Sequence, residues 1–101
     1  MEMSKGDIVQ SLNGRDKGKA LYVAEVDGEY VILVDGKSRR LEHPKRKKQK
    51  HCMFLTSDGY RLSEKLRADE HVTNSEVRRA LATFNAGAEE QSENETEPGG
   101  G

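Results

Sequence analysis

The chain has 101 residues, 33% hydrophobic and 35% charged, with a mean hydropathy of −0.92, which leaves room for one small folded module and argues against a second domain. Seventeen Lys and Arg against 18 Asp and Glu give a formal charge of −1, but residues 1–55 hold 12 basic and 8 acidic side chains whereas residues 56–101 hold 5 and 10. With no Trp, two Phe and three Tyr, there is little material for the walled pocket that most enzymes use, so neither catalysis nor a cofactor is expected.

A single cysteine, Cys52, excludes an internal disulfide framework and fits a reducing compartment. No stretch reaches the run of about 7 to 15 apolar residues that a secretory signal needs or the roughly 20 that a membrane span needs. A cytoplasmic monomer with no membrane partner is the expectation.

In chain order, Asn13-Gly14, Asp27-Gly28 and Asp35-Gly36 each lie between runs rich in Val, Ile, Leu and Tyr. Asn or Asp followed by Gly tolerates the positive φ angles of a tight hairpin turn. These dipeptides predict four short strands joined as a meander, near residues 7–12, 19–26, 29–34 and 37–42, with a further strand near 52–55. The third, Tyr30-Val31-Ile32-Leu33-Val34, is apolar without a break, the pattern of a strand covered on both faces. The second does not alternate cleanly, and a bulge that turns both Val23 and Val26 inward would explain it. A small sheet with so many turns buries a core by curling into a compact barrel.

Asp58-Gly59 marks another turn, and Leu62 and Leu66 predict a short helix after it. Thr73-Asn74-Ser75-Glu76 has the spacing of a capping box. Val77, Ala80, Leu81 and Phe84 then recur at helical spacing up to Gly87, which predicts a helix over about 74–86. Residues 88–101 contain five Glu, no basic residue and a closing Pro-Gly-Gly-Gly, the composition of a disordered acidic tail. The expected organisation is thus a β module over 1–55, a helical extension over 56–87 and a tail over 88–101.

The strongest functional signal is residues 37–50, where eight of fourteen side chains are Lys or Arg and only Glu42 opposes them. Such a density of charge repels itself unless an anion binds, and RNA or DNA is the abundant polyanion. Lys37, Arg39 and Arg40 precede the run Lys45, Arg46, Lys47, Lys48 and Lys50. On a strand, Arg39 and Arg40 would face opposite ways, each able to bind phosphate in two-pronged fashion or to stack on a base. The lysines have the character of point-charge phosphate contacts. The loop Asn13-Gly14-Arg15-Asp16-Lys17-Gly18-Lys19 adds two glycines and three cations, so a phosphate backbone could approach closely. His43, His51 and Cys52 lack the short ligand spacing of a structural zinc site, and no metal is expected. No third group orients a Cys-His nucleophile either.

Lys5-Gly6-Asp7-Ile8-Val9, Gly14-Arg15-Asp16-Lys17-Gly18-Lys19 and the valines 23 and 26 together resemble the KOW motif, with Gly18 after Lys17 in the place of the motif's glycine. Tyr30-Val31-Ile32-Leu33-Val34-Asp35-Gly36, then Arg39-Arg40 and His43-Pro44, are similar to KOW-type large-subunit ribosomal proteins of archaea and eukaryotes and to small bacterial KOW-domain proteins. The resemblance covers about residues 5–55. It implies a mainly β fold, a small SH3-like barrel followed by one or two short helices, and contact with RNA, ordinarily ribosomal RNA. Carried over by position, the contacts would fall on Arg15, Lys17, Gly18, Lys19, Arg39 and Arg40. KOW domains also occur in transcription-elongation factors, where some contact proteins, so docking on a ribosomal protein or on a transcription or translation factor is the alternative. The acidic tail could compete with RNA for the basic surface. With about six phosphates neutralised, the logarithm of affinity should fall against the logarithm of salt with a slope of about −4. Replacing Lys45, Arg46, Lys47 and Lys48 together should flatten it.

Overall fold

The computed structural model describes residues 2–57 and 60–96, the side chains of 88–96 excepted. Strands β1 (Ile8–Ser11), β2 (Ala20–Asp27), β3 (Tyr30–Val34), β4 (Lys45–Lys48) and β5 (Cys52–Thr56) precede helices α1 (Tyr60–Arg67) and α2 (Asn74–Thr96). The strands form one antiparallel sheet in the order β4-β3-β2-β1-β5, so the fold is mainly β. β4 and β5 are the edges, linked along the chain by the 3-10 turn Gln49–His51. Among the described residues no ladder between them closes the sheet.

β2 and β3 make the tightest hairpin. Asp27 pairs with Tyr30 across Gly28 and Glu29, and Gly28 takes φ +60°, the left-handed geometry that this turn requires. The register slips between Val23 and Glu25, so the expected bulge in β2 is present. It lets Val23 and Val26 pack on one face while Ala24 packs on the other.

Alternation along the strands supplies both faces of the sheet with apolar side chains. Ile8, Tyr22 and Val34 face the helices and pack with Leu62, Leu66, Val77 and Leu81. Val9, Leu21, Val23, Val31, Leu33 and Cys52 form a second cluster, joined by Met3 and Val26. Among the described residues no helix residue belongs to that second cluster, which lies on the other face of the sheet with Met3 of the N-terminal segment packed against it. Val31 and Leu33 lie in one cluster and Val34 in the other, as an unbroken apolar strand requires. Each fully buried aliphatic side chain contributes about 1.5–3 kcal/mol.

The helices dock through specific bonds. Ser63, fully buried in α1, donates its hydroxyl to the Gly6 carbonyl at 2.7 Å. Thr73 and Glu76 form the expected capping box: the Thr73 N–H donates to Glu76 Oε1 at 3.0 Å and the Glu76 N–H to Thr73 Oγ1 at 3.2 Å. Lys65 of α1 donates to Glu76 Oε2 at 2.7 Å, and that bond, followed by the one from Thr73, holds the Glu76 carboxyl below its ordinary value.

Three expectations change. Residues 37–42 are not a strand; the fourth strand is Lys45–Lys48. The Asp35 carboxylate accepts the N–H groups of Lys37 at 2.8 Å and Arg39 at 2.7 Å and the Ser38 hydroxyl at 2.9 Å, which curls residues 35–39 into a closed turn rather than an extended chain. Asn13-Gly14 likewise lies in a longer loop, not in a two-residue turn, since β1 ends at Ser11 and β2 begins at Ala20. Helix α2 passes through Gly87 to Thr96. A helical glycine costs only about 1 kcal/mol, and the flanking Ala86, Ala88, Glu89 and Glu90 are strong helix formers. The expected tail, 88–101, falls on side chains outside the described residues, as do the Asp58-Gly59 turn and all of 97–101.

Candidate functional site

The loop between β1 and β2, residues 12–19, is held from three directions. Beneath it, the Lys47 ammonium of β4 donates to Ser11 Oγ at 2.7 Å and to the Asn13 carbonyl at 2.8 Å. On one side, Asn13 Nδ2 lies 3.0 Å from His51 Nδ1, and the Leu12 N–H donates to the His51 carbonyl at 3.0 Å. On the other side, the Arg39 guanidinium donates through Nε at 3.1 Å and through its NH2 group at 2.9 Å to Oδ2 of buried Asp16. Lys19 completes that side, 3.7 Å from Asp16 Oδ1 and 3.5 Å from the Ser38 hydroxyl.

The clamped loop presents its remaining cations outward. Arg15 and Lys17 are exposed and belong to no ion pair among the described residues. Lys37, on the 35–39 turn that flanks the loop on the Arg39 side, and Lys50, on the 3-10 turn that flanks it on the His51 side, are exposed and likewise without an ion pair among the described residues. Gly18 takes φ +86°, and a Cβ there would meet nothing within 4 Å. Its glycine therefore serves the backbone conformation, and the space over it stays open to a ligand. An open groove of about 690 Å³ continues from Gly18 and Lys19 past Lys37 and Ser38 to Arg78 and Asn85 of α2.

The other expected contacts are divided among different tasks. Arg39 is half-buried, and its guanidinium is engaged by Asp16. Arg40 is exposed and lies 3.6 Å from Glu42, whose carboxyl the Asn74 amide holds below its ordinary value. Lys47 is buried and acts as a strut rather than a phosphate contact. Lys45 is half-buried beside it on the strand. Arg46 and Lys48 alternate to the opposite face, where they meet Tyr30. The basic run is thus not one patch. A fourfold change across Lys45–Lys48 would mix a loss of charge with a loss of support for the loop.

Lys47 gives a direct check of this division. Lys47→Ala removes both donors to Ser11 and Asn13 and strips the stem packed at this position, and it is expected to cost about 2 kcal/mol of unfolding free energy. Lys50→Ala should stay within about 0.5 kcal/mol. Urea unfolding of the two variants measures both; equal, small effects would mean that Lys47 is an ordinary surface charge.

Cys52 packs in the second cluster, where burial pushes its thiol up and the Lys47 charge opposes. His43 is exposed next to a backbone bridge with Arg40, away from the His51–Asn13 contact. Sequence reasoning missed the part played by α2. Asn74 accepts the Leu41 N–H at 2.8 Å and Arg78 donates to the Gly36 carbonyl at 2.6 Å, so the helix holds the turn that carries Lys37. No local signal announces a contact over that separation. Tyr30 was also missed as a surface group, because the strand that holds it reads as uniformly apolar.

No protein-family model matches the chain, and no curated protein is detectably similar to it in sequence.

Proposed function

We propose that this chain is a non-enzymatic RNA-binding module of KOW type, a small SH3-like barrel associated with the ribosome through ribosomal RNA. The observation that carries the reading is the loop of residues 12–19. Buried Asp16 and Lys47 fix it internally, while Arg15 and Lys17 stay exposed without ion pairs among the described residues, as do Lys37 and Lys50 on its flanks. Fixed backbone with free cations is what phosphate recognition needs, because less side-chain and loop ordering remains to be done on binding. The strand order, the 3-10 turn between β4 and β5, and the apolar cluster that no described helix residue joins support the barrel. The resemblance to KOW-type ribosomal proteins supports the partner.

Gradient sedimentation of a cell lysate tests the association. The protein is expected to migrate with a ribosomal subunit at low salt and to leave it as salt rises, since the contacts are electrostatic. Presence only at the top of the gradient in both conditions would contradict ribosome association. Release of the complex by ribonuclease is also expected, and a complex that survived ribonuclease would favour docking on a transcription or translation factor.

A further inference from the structure

We propose that Tyr30 and Arg46 form a stacking subsite for an unpaired RNA base, separate from the 12–19 loop; this deepens the RNA-binding reading and rests on it. Lys48 stands directly across from Tyr30 in the β3–β4 ladder, and Arg46 is two residues away on the same face. The guanidinium carbon of Arg46 lies 3.6 Å from the centroid of the Tyr30 ring, and Lys48 Nζ lies 5.9 Å from it. Val34, on the same face of β3, packs under α1 and α2, but neither Ile32 nor Tyr30 joins that cluster. The helices therefore leave the Tyr30 end of the face uncovered.

A guanidinium at this distance from a ring centroid lays one face on the ring and keeps the other free. Its side chain is 55% exposed, and its one ion-pair partner among the described residues, Asp27 at 3.5 Å, is 68% exposed, so the pair is weak and readily displaced. The ring holds the guanidinium in place, which prepares a flat surface for a third planar layer. Nucleobases supply such a layer, and they present an open face only where they are unpaired. Phosphate binding alone would not call for an aromatic ring behind the cation. A flanking charge completes the subsite: Lys48 lies beside the ring, and the 3-10 turn that follows β4 is fastened to the β2–β3 turn by Gln49, whose N–H donates to the Glu29 carbonyl at 2.8 Å and whose amide donates to the Gly28 carbonyl at 2.9 Å. Lys48 can meet a phosphate beside a stacked nucleotide.

The test measures binding of the full chain to a short labelled oligoadenylate and to a blunt RNA duplex of the same length, for the parent, Arg46→Lys and Tyr30→Leu. Arg46→Lys keeps the charge and removes the plane; Tyr30→Leu keeps apolar bulk and removes the ring. Both variants are expected to bind oligoadenylate about tenfold more weakly and the duplex unchanged, with unfolding midpoints showing that the fold is retained. Equal weakening on both RNAs, or none on either, would overturn the stacking subsite while leaving RNA binding through the 12–19 loop in place. A parent chain that bound neither RNA but captured an acidic polypeptide would overturn the RNA-binding reading itself, and the subsite with it.

Discussion

Gly36→Ala is expected to lower the unfolding free energy by about 3 kcal/mol or more, a severe loss for a single methyl group. Two causes add. Gly36 takes φ +77°, a conformation that costs an L-residue roughly 1–2 kcal/mol. A Cβ there would also come within 2.4 Å of the Asn74 carbonyl oxygen and 3.1 Å of the Arg78 nitrogen. Both are backbone atoms of helix α2, which cannot swing aside as a flexible side chain can. Relief requires the 35–39 turn to lift from the helix, stretching the 2.6 Å bond from Arg78 to the Gly36 carbonyl and the 2.8 Å bond from the Leu41 N–H to Asn74. Gly18→Ala is the matched control. It has the same sign of φ but open space, so its expected cost is only about 1 kcal/mol. Urea unfolding of the two variants against the parent reads the difference. Equal losses would mean that α2 does not pack on the turn at Gly36.

The contrast between the two glycines also bears on what was legible in the sequence. Features set by neighbours along the chain could be read directly: the turn after Asp27, the bulge in β2, the burial of Val31, Leu33 and Val34 in β3 and the capping box at Thr73. The fourth strand could not. Residues 37–42 sit after an Asp-Gly pair and before a proline, which reads as a strand after a hairpin, yet the Asp35 carboxylate gathers two backbone N–H groups and folds the segment back. Burial by itself would raise that carboxyl, but the bonds from Arg39, Lys37 and Ser38 together hold it below its ordinary value. Lys45–Lys48 has neither apolar alternation nor β-branched residues. It becomes a strand because β3 offers it a ladder and because the Lys47 ammonium finds Ser11 and Asn13 beneath the loop. Tertiary pairing overrides local propensity there.

The same distinction applies to the site. The density of basic residues is plain in the sequence, but their assignment to tasks is not, because the deciding partners are remote. Arg39 is neutralised by Asp16, 23 residues earlier, and Lys47 is satisfied by Ser11, 36 residues earlier. Arg46, not Arg39 or Arg40, is the arginine that lies on an aromatic ring. Only after these are removed does the free set emerge, with Arg15 and Lys17 at its centre and Lys37 and Lys50 at its flanks.

That free set defines the second large effect. Replacing Arg15, Lys17, Lys37 and Lys50 together by Gln removes four exposed charges and no ion pair among the described residues, so the fold should persist with its unfolding midpoint little changed. Every phosphate left without its cation flattens the salt dependence by about 0.7 on single-stranded RNA, so the slope should change from about −4 to about −1. Affinity at low salt should fall steeply as a consequence, whereas Arg39→Gln should act chiefly on stability by leaving buried Asp16 without its guanidinium. The decisive measurement is the affinity of the parent and the fourfold variant for RNA as salt is raised. A steep parent slope that collapses in a variant of unchanged stability is the expected result; equal slopes for the two proteins would contradict a phosphate-binding role for the 12–19 loop and its flanks.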